Sequence, residues 1–309
     1  VAGLVSRHAG AGGGARRERL TDPGVRAVRA VLEASAPGRD VLAAGARIER
    51  LAGGLSNRTW LAASAAGDLV VRLGGTHDLH LAADRVGERQ ALAAAHALGF
   101  GPRIVHADPR HGVLVTERIP GRTWLRADAR SALGIERLGA RLKALHDAPP
   151  PRGVRRVDIC DAVAHYLELR ELPAGPVGRE VLADLVRWAL GGYRPLRAAL
   201  CHHDLHHLNI IDAGTLMFVD WEYAGVGDPL IDLAAVACYH DFDESQRAAL
   251  LAAYAGGVDA AAFSDACLIF DCLHALWLDA AGGWKSLEPA RREALLARLA
   301  FEPPVRRRR

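Results

Sequence analysis

The sequence predicts an α+β fold in two lobes, a small β-rich N-terminal lobe followed by a larger and mostly helical C-terminal lobe. Three observations carry this. Runs of strand character over residues 47–51, 58–63, 69–73 and 113–119 all fall before Pro120. Capped, helix-periodic runs dominate the chain beyond that proline. Within that helical half, residues 216–219 form a short apolar strand set between polar clusters. The expected boundaries are a disordered tail over 1–21, lobes over 22–119 and 120–302, and an arginine-rich tail over 303–309.

At 309 residues, half of them hydrophobic, the chain is long enough for one large or two medium domains with real cores. No run approaches the roughly 18 uninterrupted apolar residues of a membrane span. The first nineteen residues are rich in Ala, Gly and Arg without an apolar core, so they do not read as a secretory signal. The five cysteines are an odd number without a C-x-x-C pair, which implies neither a disulfide framework nor a zinc knuckle, and a reducing cytoplasm is the expected home. Charge excludes a nucleic-acid groove. Residues 1–19 carry four Arg and one Glu and residues 303–309 carry four Arg, so the net +3 leaves the body near −4.

In chain order, Asp22-Pro23 supplies an N-cap and a first-turn proline for a helix running to about residue 36. The three strand runs come next, and between the first two lies Gly53-Gly54-Leu55-Ser56-Asn57. Glycines in such a turn let backbone N–H groups approach phosphates, to which Ser56 and Asn57 can add hydrogen bonds. Arg72 sits in the third strand, and Glu88 in a helix over residues 81–98. The last strand of the small lobe, ending at Pro120-Gly121, contains Glu117, which we place with the nucleotide-binding residues. Helices are expected over 130–146, 158–171, 178–190, 264–281 and 289–299; Asp228-Pro229 opens another, and Asp243-x-x-Gln246 is a capping box for one more.

Residues 200–232, LCHHDLHHLNIIDAGTLMFVDWEYAGVGDPLID, carry the chemistry. His202-x-Asp204 is followed by Asn209, and Asp220 closes the strand of residues 216–219. One hairpin turning at residues 212–214 brings these groups to the same end. Phosphoryl transfer from ATP needs a carboxylate that orients the attacking hydroxyl and oxygen ligands that hold Mg²⁺ on the phosphates. Asp204 suits the first task as catalytic residue, and Asn209 with Asp220 the second. The four histidines 202, 203, 206 and 207 leave a transition-metal hydrolase open as another reading.

HHDLHHLN with DWEYAGVGDPLIDLA resembles the aminoglycoside phosphotransferase and choline kinase superfamily, whose usual form is HGDLHxxN followed by IDWExAxxGDPxxDLA. His203 stands where that family has Gly. LAGGLSNRTWLA, LVVRLGG, GERQALAAAHALGFGP and LVTERIPGRTW extend the resemblance over about residues 47–240 and are most like choline and ethanolamine kinases. The resemblance implies a protein-kinase-like fold, ATP as co-substrate and Mg²⁺ as cofactor. It makes Arg72 and Glu88 the strand cation and helix carboxylate of a phosphate clamp. It also gives His202 and Asp232 the role of supporting the catalytic loop.

The expected activity is transfer of phosphate to a small amino alcohol, choline or ethanolamine. Thiamine, a sugar or an aminoglycoside are alternative acceptors, and a nucleotide-binding module without turnover is a further one. A quaternary ammonium calls for aromatic faces with a carboxylate nearby, for which Tyr223, Trp277 and Glu222 are the candidates. Phe270, His274 and Trp277 share a helical face that reads more readily as core than as a cage.

Overall fold

A computed structural model describes residues 22–51, 58–74, 84–169 and 175–300. The chain forms two compact units, one of residues 1–78 with 102–119, the other of residues 79–101 with 120–309. The glycine loop with Ser56 and Asn57 lies outside the described residues, as do both tails.

The first unit opens with α1 (Pro23–Glu33), whose N-cap Asp22 accepts hydrogen bonds from the N–H groups of Gly24 and Val25. The helix stops short of the expected residue 36. Ser35 begins a new one, α2 (Ala36–Ala43), by accepting from the Gly38 N–H at 3.2 Å. Gly38 lets the two helices close: a Cβ there would lie 2.1 Å from the Leu32 carbonyl oxygen. Five antiparallel strands come after them: β1 (Arg47–Arg50), β2 (Arg58–Ser64), β3 (Gly67–Leu73), β4 (Ile104–Asp108) and β5 (Val113–Glu117). Their order is β1-β2-β3-β5-β4. Strand β4 is not legible in the sequence because its residues are all half-buried and show no alternation. One face of the sheet buries Ile48, Trp60, Ala62, Leu69, Val71 and Val115 against Val25, Val28 and Leu32 of α1. Arg72 points from the other register of β3, opposite Thr59 and Leu114, and is itself buried. Glu117 ends β5 in solvent and accepts a hydrogen bond from Arg103 at 2.5 Å.

The second unit begins with α3 (Arg85–Ala97), capped by Asp84, so the helix bearing Glu88 groups with this unit although the sequence places it in the N-terminal lobe. Next come β6 (Arg122–Thr123), α4 (Arg126–Arg130) and α5 (Ala132–Asp147). The helix expected over 130–146 is α5, which begins at Ala132 because Ser131 caps it by accepting from the Gly134 N–H; the short α4 before it was not anticipated. After α6 (Ile159–Glu168) and α7 (Arg179–Leu190), short strands alternate with the chemistry-bearing loops: β7 (Ala199–Cys201), β8 (Ile210–Ala213), β9 (Thr215–Phe218) and β10 (Gly225–Gly227). Strands β8 and β9 form the anticipated hairpin, with Gly214 at φ 87° in its turn, and β7 pairs with β10. The unit is completed by α8 (Pro229–Tyr239), α9 (Glu244–Tyr254), α10 (Ala260–Ala281) and α11 (Pro289–Leu299). Helix α10 is long and apolar enough to cross a membrane, but it packs against α6, α7, α8 and α11, and Asp271 is buried on it. It is the central core helix of the unit.

Candidate active site

The loop between β7 and β8 is shaped by its buried anchor. Asp232, one turn into α8, is fully buried among Leu230, Ile231 and Leu233 and needs partners for its charge. It accepts from the backbone N–H of His202 at 2.8 Å and of His203 at 2.6 Å, and from His146 Nε2 at 3.1 Å. His146 in turn accepts at Nδ1 from the Tyr254 hydroxyl, which fixes its tautomer. Burial works to raise the Asp232 carboxyl, but the hydrogen bond from His146, with the loop N–H, outweighs it and holds it down to about 2. Asp232 thus stays ionised and clasps the loop.

His203, at the family's glycine position, has φ 62°, in the left-handed region that favours Gly. The Asp232 bond to its N–H holds this conformation, and its ring donates from Nδ1 to the Tyr223 carbonyl at 3.3 Å. Space for the ring comes from Gly227, where a Cβ would lie 2.6 Å from His203 Nε2. His202 donates from Nε2 to the Val219 carbonyl at 2.9 Å, tying the loop to the segment that bears Asp220. Asp220 also has positive φ, 65°. Two non-glycine residues in left-handed conformation within one small region mark strained backbone.

Asp204 and Asn209 meet as the spacing predicts. A single 3₁₀ turn over His207–Asn209 returns the chain, so that Asn209 Nδ2 donates to the Asp204 carbonyl at 2.9 Å and lies 3.4 Å from Asp204 Oδ2. The Asn209 amide oxygen makes no hydrogen bond among the described residues, leaving it available to a cation. Burial raises the Asp204 carboxyl well above its usual range, with the charges of Asp220 and Glu222 adding to that and the Tyr239 and Asn209 hydrogen bonds opposing it. An amide oxygen beside a carboxylate that feels the charges of Asp220 and Glu222 is oxygen-donor chemistry of the kind that suits Mg²⁺.

Glu222 and Glu88 are buried and joined: Arg85 donates to Glu88 Oε2 at 3.1 Å and to Glu222 Oε2 at 2.9 Å. Arg155 fixes the same stretch through the carbonyls of Glu222 and Ala224, both at 3.0 Å. Tyr223 accepts at its hydroxyl from Trp277 Nε1 at 2.9 Å, so the two proposed aromatic faces form one wall. The wall continues along α10 and α8: His274 lies between Trp277 and Tyr239, and Tyr239 meets Phe270 and His274 edge-on, both at 5.1 Å. Phe270 is indeed buried, whereas His274 and Trp277 are half-buried. The four loop histidines do not gather as metal ligands. The group of close-set metal-binding side chains among the described residues is His146, Cys201 and Asp232, of which His146 and Asp232 are already engaged in holding the loop.

The buried histidines make stability depend on pH. Burial pushes His202 down to about 4 and His240 to about 3, and the half-buried His207 and His274 are lowered with them, to about 4 and about 3. Unfolded histidines titrate near ~6.5, so below that pH the unfolded chain binds more protons than the folded one. Their contribution is therefore complete above ~6.5 and is lost as pH falls toward about 4. Burial lowers His203 and His206 in the same sense, while Asp204 and Asp279, raised by burial, act with the opposite sign and are outnumbered. Urea denaturation is expected to give equal stability at pH 7 and 8 and a loss on the order of several kcal/mol by pH 5. Constant stability from pH 8 to 5 would contradict this.

A model of the phosphotransferase enzyme family matches residues 47–263 of the chain. Among solved structures, a choline/ethanolamine kinase family protein from Mesorhizobium loti is 30% identical, with a TM-score of 0.68 over 89% of this chain and 92% of that one. A choline kinase from Streptococcus pneumoniae, 22% identical, shares the fold with a TM-score of 0.68 over 82% and 93% of the two chains. Thiamine kinase of Salmonella paratyphi B is 47% identical over 66 residues. That segment spans only 21% of this chain and 23% of the thiamine kinase.

Proposed function

The chain belongs to the phosphotransferase enzyme family, and on that premise we propose that it transfers the γ-phosphoryl group of ATP to the hydroxyl of a small amino alcohol, choline or ethanolamine. One observation carries the reading: Asp204 is hydrogen-bonded to the first ring of an aromatic row, Tyr239, His274 and Trp277, that leads to Tyr223. An acceptor whose cationic end rests on such faces presents its hydroxyl to Asp204. Glu222, held by Arg85, supplies negative charge near Asp204 and Tyr223.

In this mechanism the acceptor hydroxyl hydrogen-bonds to the Asp204 carboxylate and its oxygen attacks the γ-phosphorus. The new O–P bond forms as the bridging P–O bond to the β-phosphate breaks; ADP departs with that electron pair and Asp204 takes the hydroxyl proton. Asn209 and Asp220 would hold Mg²⁺, which when bound neutralises charge on the phosphates. Arg72, Glu88, Ser56, Asn57 and Glu117 retain their assignment to the nucleotide, and His202 with Asp232 to support of the loop. All five cysteines are unpaired, which fits a reducing, cytoplasmic setting.

Thiamine is the second reading, favoured by the 47% identity over 66 residues to thiamine kinase. An ADP-release assay with Mg-ATP against choline, ethanolamine, thiamine, several sugars and kanamycin tests both. We expect the highest kcat/KM on choline or ethanolamine. Preference for thiamine would select the second reading, and ATP binding with no transfer to any alcohol would overturn the assignment of turnover.

A further inference from the structure

We propose that Tyr239 is a positioning residue of the phosphotransfer reaction, its hydroxyl fixing the Asp204 carboxylate so that Oδ2 is the atom turned to the acceptor. The inference rests on Asp204 being the group that takes the acceptor proton. Its starting point is a hydrogen bond across 35 residues: the Tyr239 hydroxyl donates to Asp204 Oδ1 at 2.6 Å. A short hydrogen bond to an ionised acceptor is among the stronger polar contacts in a protein, and Asp204 has few others to hold its side chain. Asn209 reaches Oδ2 only at 3.4 Å and spends its better bond on the Asp204 main-chain carbonyl. His206 Nε2 stands 3.9 Å from Oδ2, beyond hydrogen-bond range. Rotation of the carboxylate is therefore limited chiefly by Tyr239.

Such a role requires Tyr239 itself to be immobile, and it is held from both ends. Its ring meets Phe270, His274 and His206 edge-on at 5.1, 5.1 and 5.5 Å. The end of α8 that carries it is clamped by three arginines, one of them on the Tyr239 backbone itself. Arg126 donates to the Tyr239 carbonyl at 2.7 Å and to the His240 carbonyl at 2.9 Å. Arg130 donates to the carbonyls of His240 and Asp241, and Arg298 of α11 to Asp241 Oδ1 at 2.6 Å while gripping Asp271 of α10 through two further bonds. The last carbonyls of a helix lack intrahelical partners and carry its negative pole, so three guanidinium groups there are doubly favoured. The clamp ties the end of α8 to α4, α10 and α11 and so fixes where the hydroxyl points.

The test is Tyr239→Phe, which keeps the ring and its packing and removes only the donor. Two readouts are taken: the crystal structure of the variant beside that of the wild type, and steady-state kinetics on whichever acceptor the panel identifies. We expect Asp204 to leave its wild-type rotamer or to occupy more than one, and kcat to fall about tenfold with KM for ATP within twofold, since misplacing a reacting group lowers turnover more than nucleotide binding. An Asp204 carboxylate that keeps its place in Tyr239→Phe overturns the proposal without reference to any acceptor, and so does a kcat within twofold of wild type. A wall residue that merely packs would leave both unchanged. Failure of the Asp204 assignment is separable, because it would appear as retained turnover in Asp204→Asn, whatever Tyr239→Phe does.

Discussion

Replacing Asp204 by Asn is expected to lower kcat by at least about 10³-fold while leaving the fold intact, because it removes the proton acceptor of the proposed mechanism and little else. Asn has the shape of Asp and its Oδ1 can still accept from the Tyr239 hydroxyl, so the bond now measured at 2.6 Å survives in kind. What disappears is a charge that burial and the neighbouring Asp220 and Glu222 already disfavour. The variant should therefore melt at the wild-type temperature or somewhat above it, the usual sign of a group kept for function at a cost in stability. KM for ATP should stay within about twofold, since the acceptor hydroxyl and not the nucleotide depends on this carboxylate. Purified, folded protein that keeps more than a few per cent of wild-type turnover would remove Asp204 from the catalytic role.

Asp204, Asn209, Asp220 and Asp232 were legible because a loop, a hairpin and a capped helix determine their spacing locally, and that spacing is written in consecutive residues. The partners that make the site work were not. Tyr239 reaches Asp204 across 35 residues, His146 reaches Asp232 across 86, and Arg85 reaches Glu222 across 137. No local pattern marks such pairs, and an arginine at the start of a helix or a histidine near the end of one reads as ordinary capping charge. Tyr239 left a faint signal, a large polar aromatic closing the helix PLIDLAAVACY, which is apolar apart from Asp232. Strands β7 and β10, three residues each, fall below the length at which alternation can be seen. The start of α5 was legible in principle, since Ser131, three residues before Gly134, is a cap signal as much as a helix interior. His203 departs visibly from the family glycine, but its accommodation by Gly227 depends on a contact that only the folded chain displays.

The largest loss of stability is expected for Asp232→Ala. The carboxylate is inaccessible to solvent and takes three donors, the N–H groups of His202 and His203 and the Nε2 of His146, at 2.8, 2.6 and 3.1 Å. Truncation strands all three in a dry interior, and each buried donor left without its acceptor costs about 1–3 kcal/mol, so a loss on the order of 3–5 kcal/mol is expected. Asp232→Asn should be nearly as harmful, because its amide nitrogen must face one of the donors and one N–H is left without an acceptor. The damage should also reach catalysis. His203 is held at φ 62° by the bond that Asp232 accepts from its N–H, so without it the loop relaxes toward conformations that a non-glycine residue prefers and Asp204, the next residue, moves with it. Urea unfolding measures the first effect. Turnover measured well below the variant's melting temperature, where it is still folded, measures the second, and a fall of ten-fold or more is expected there. Stability within about 1 kcal/mol of wild type, together with unchanged kcat, would show that the loop keeps its shape without this anchor.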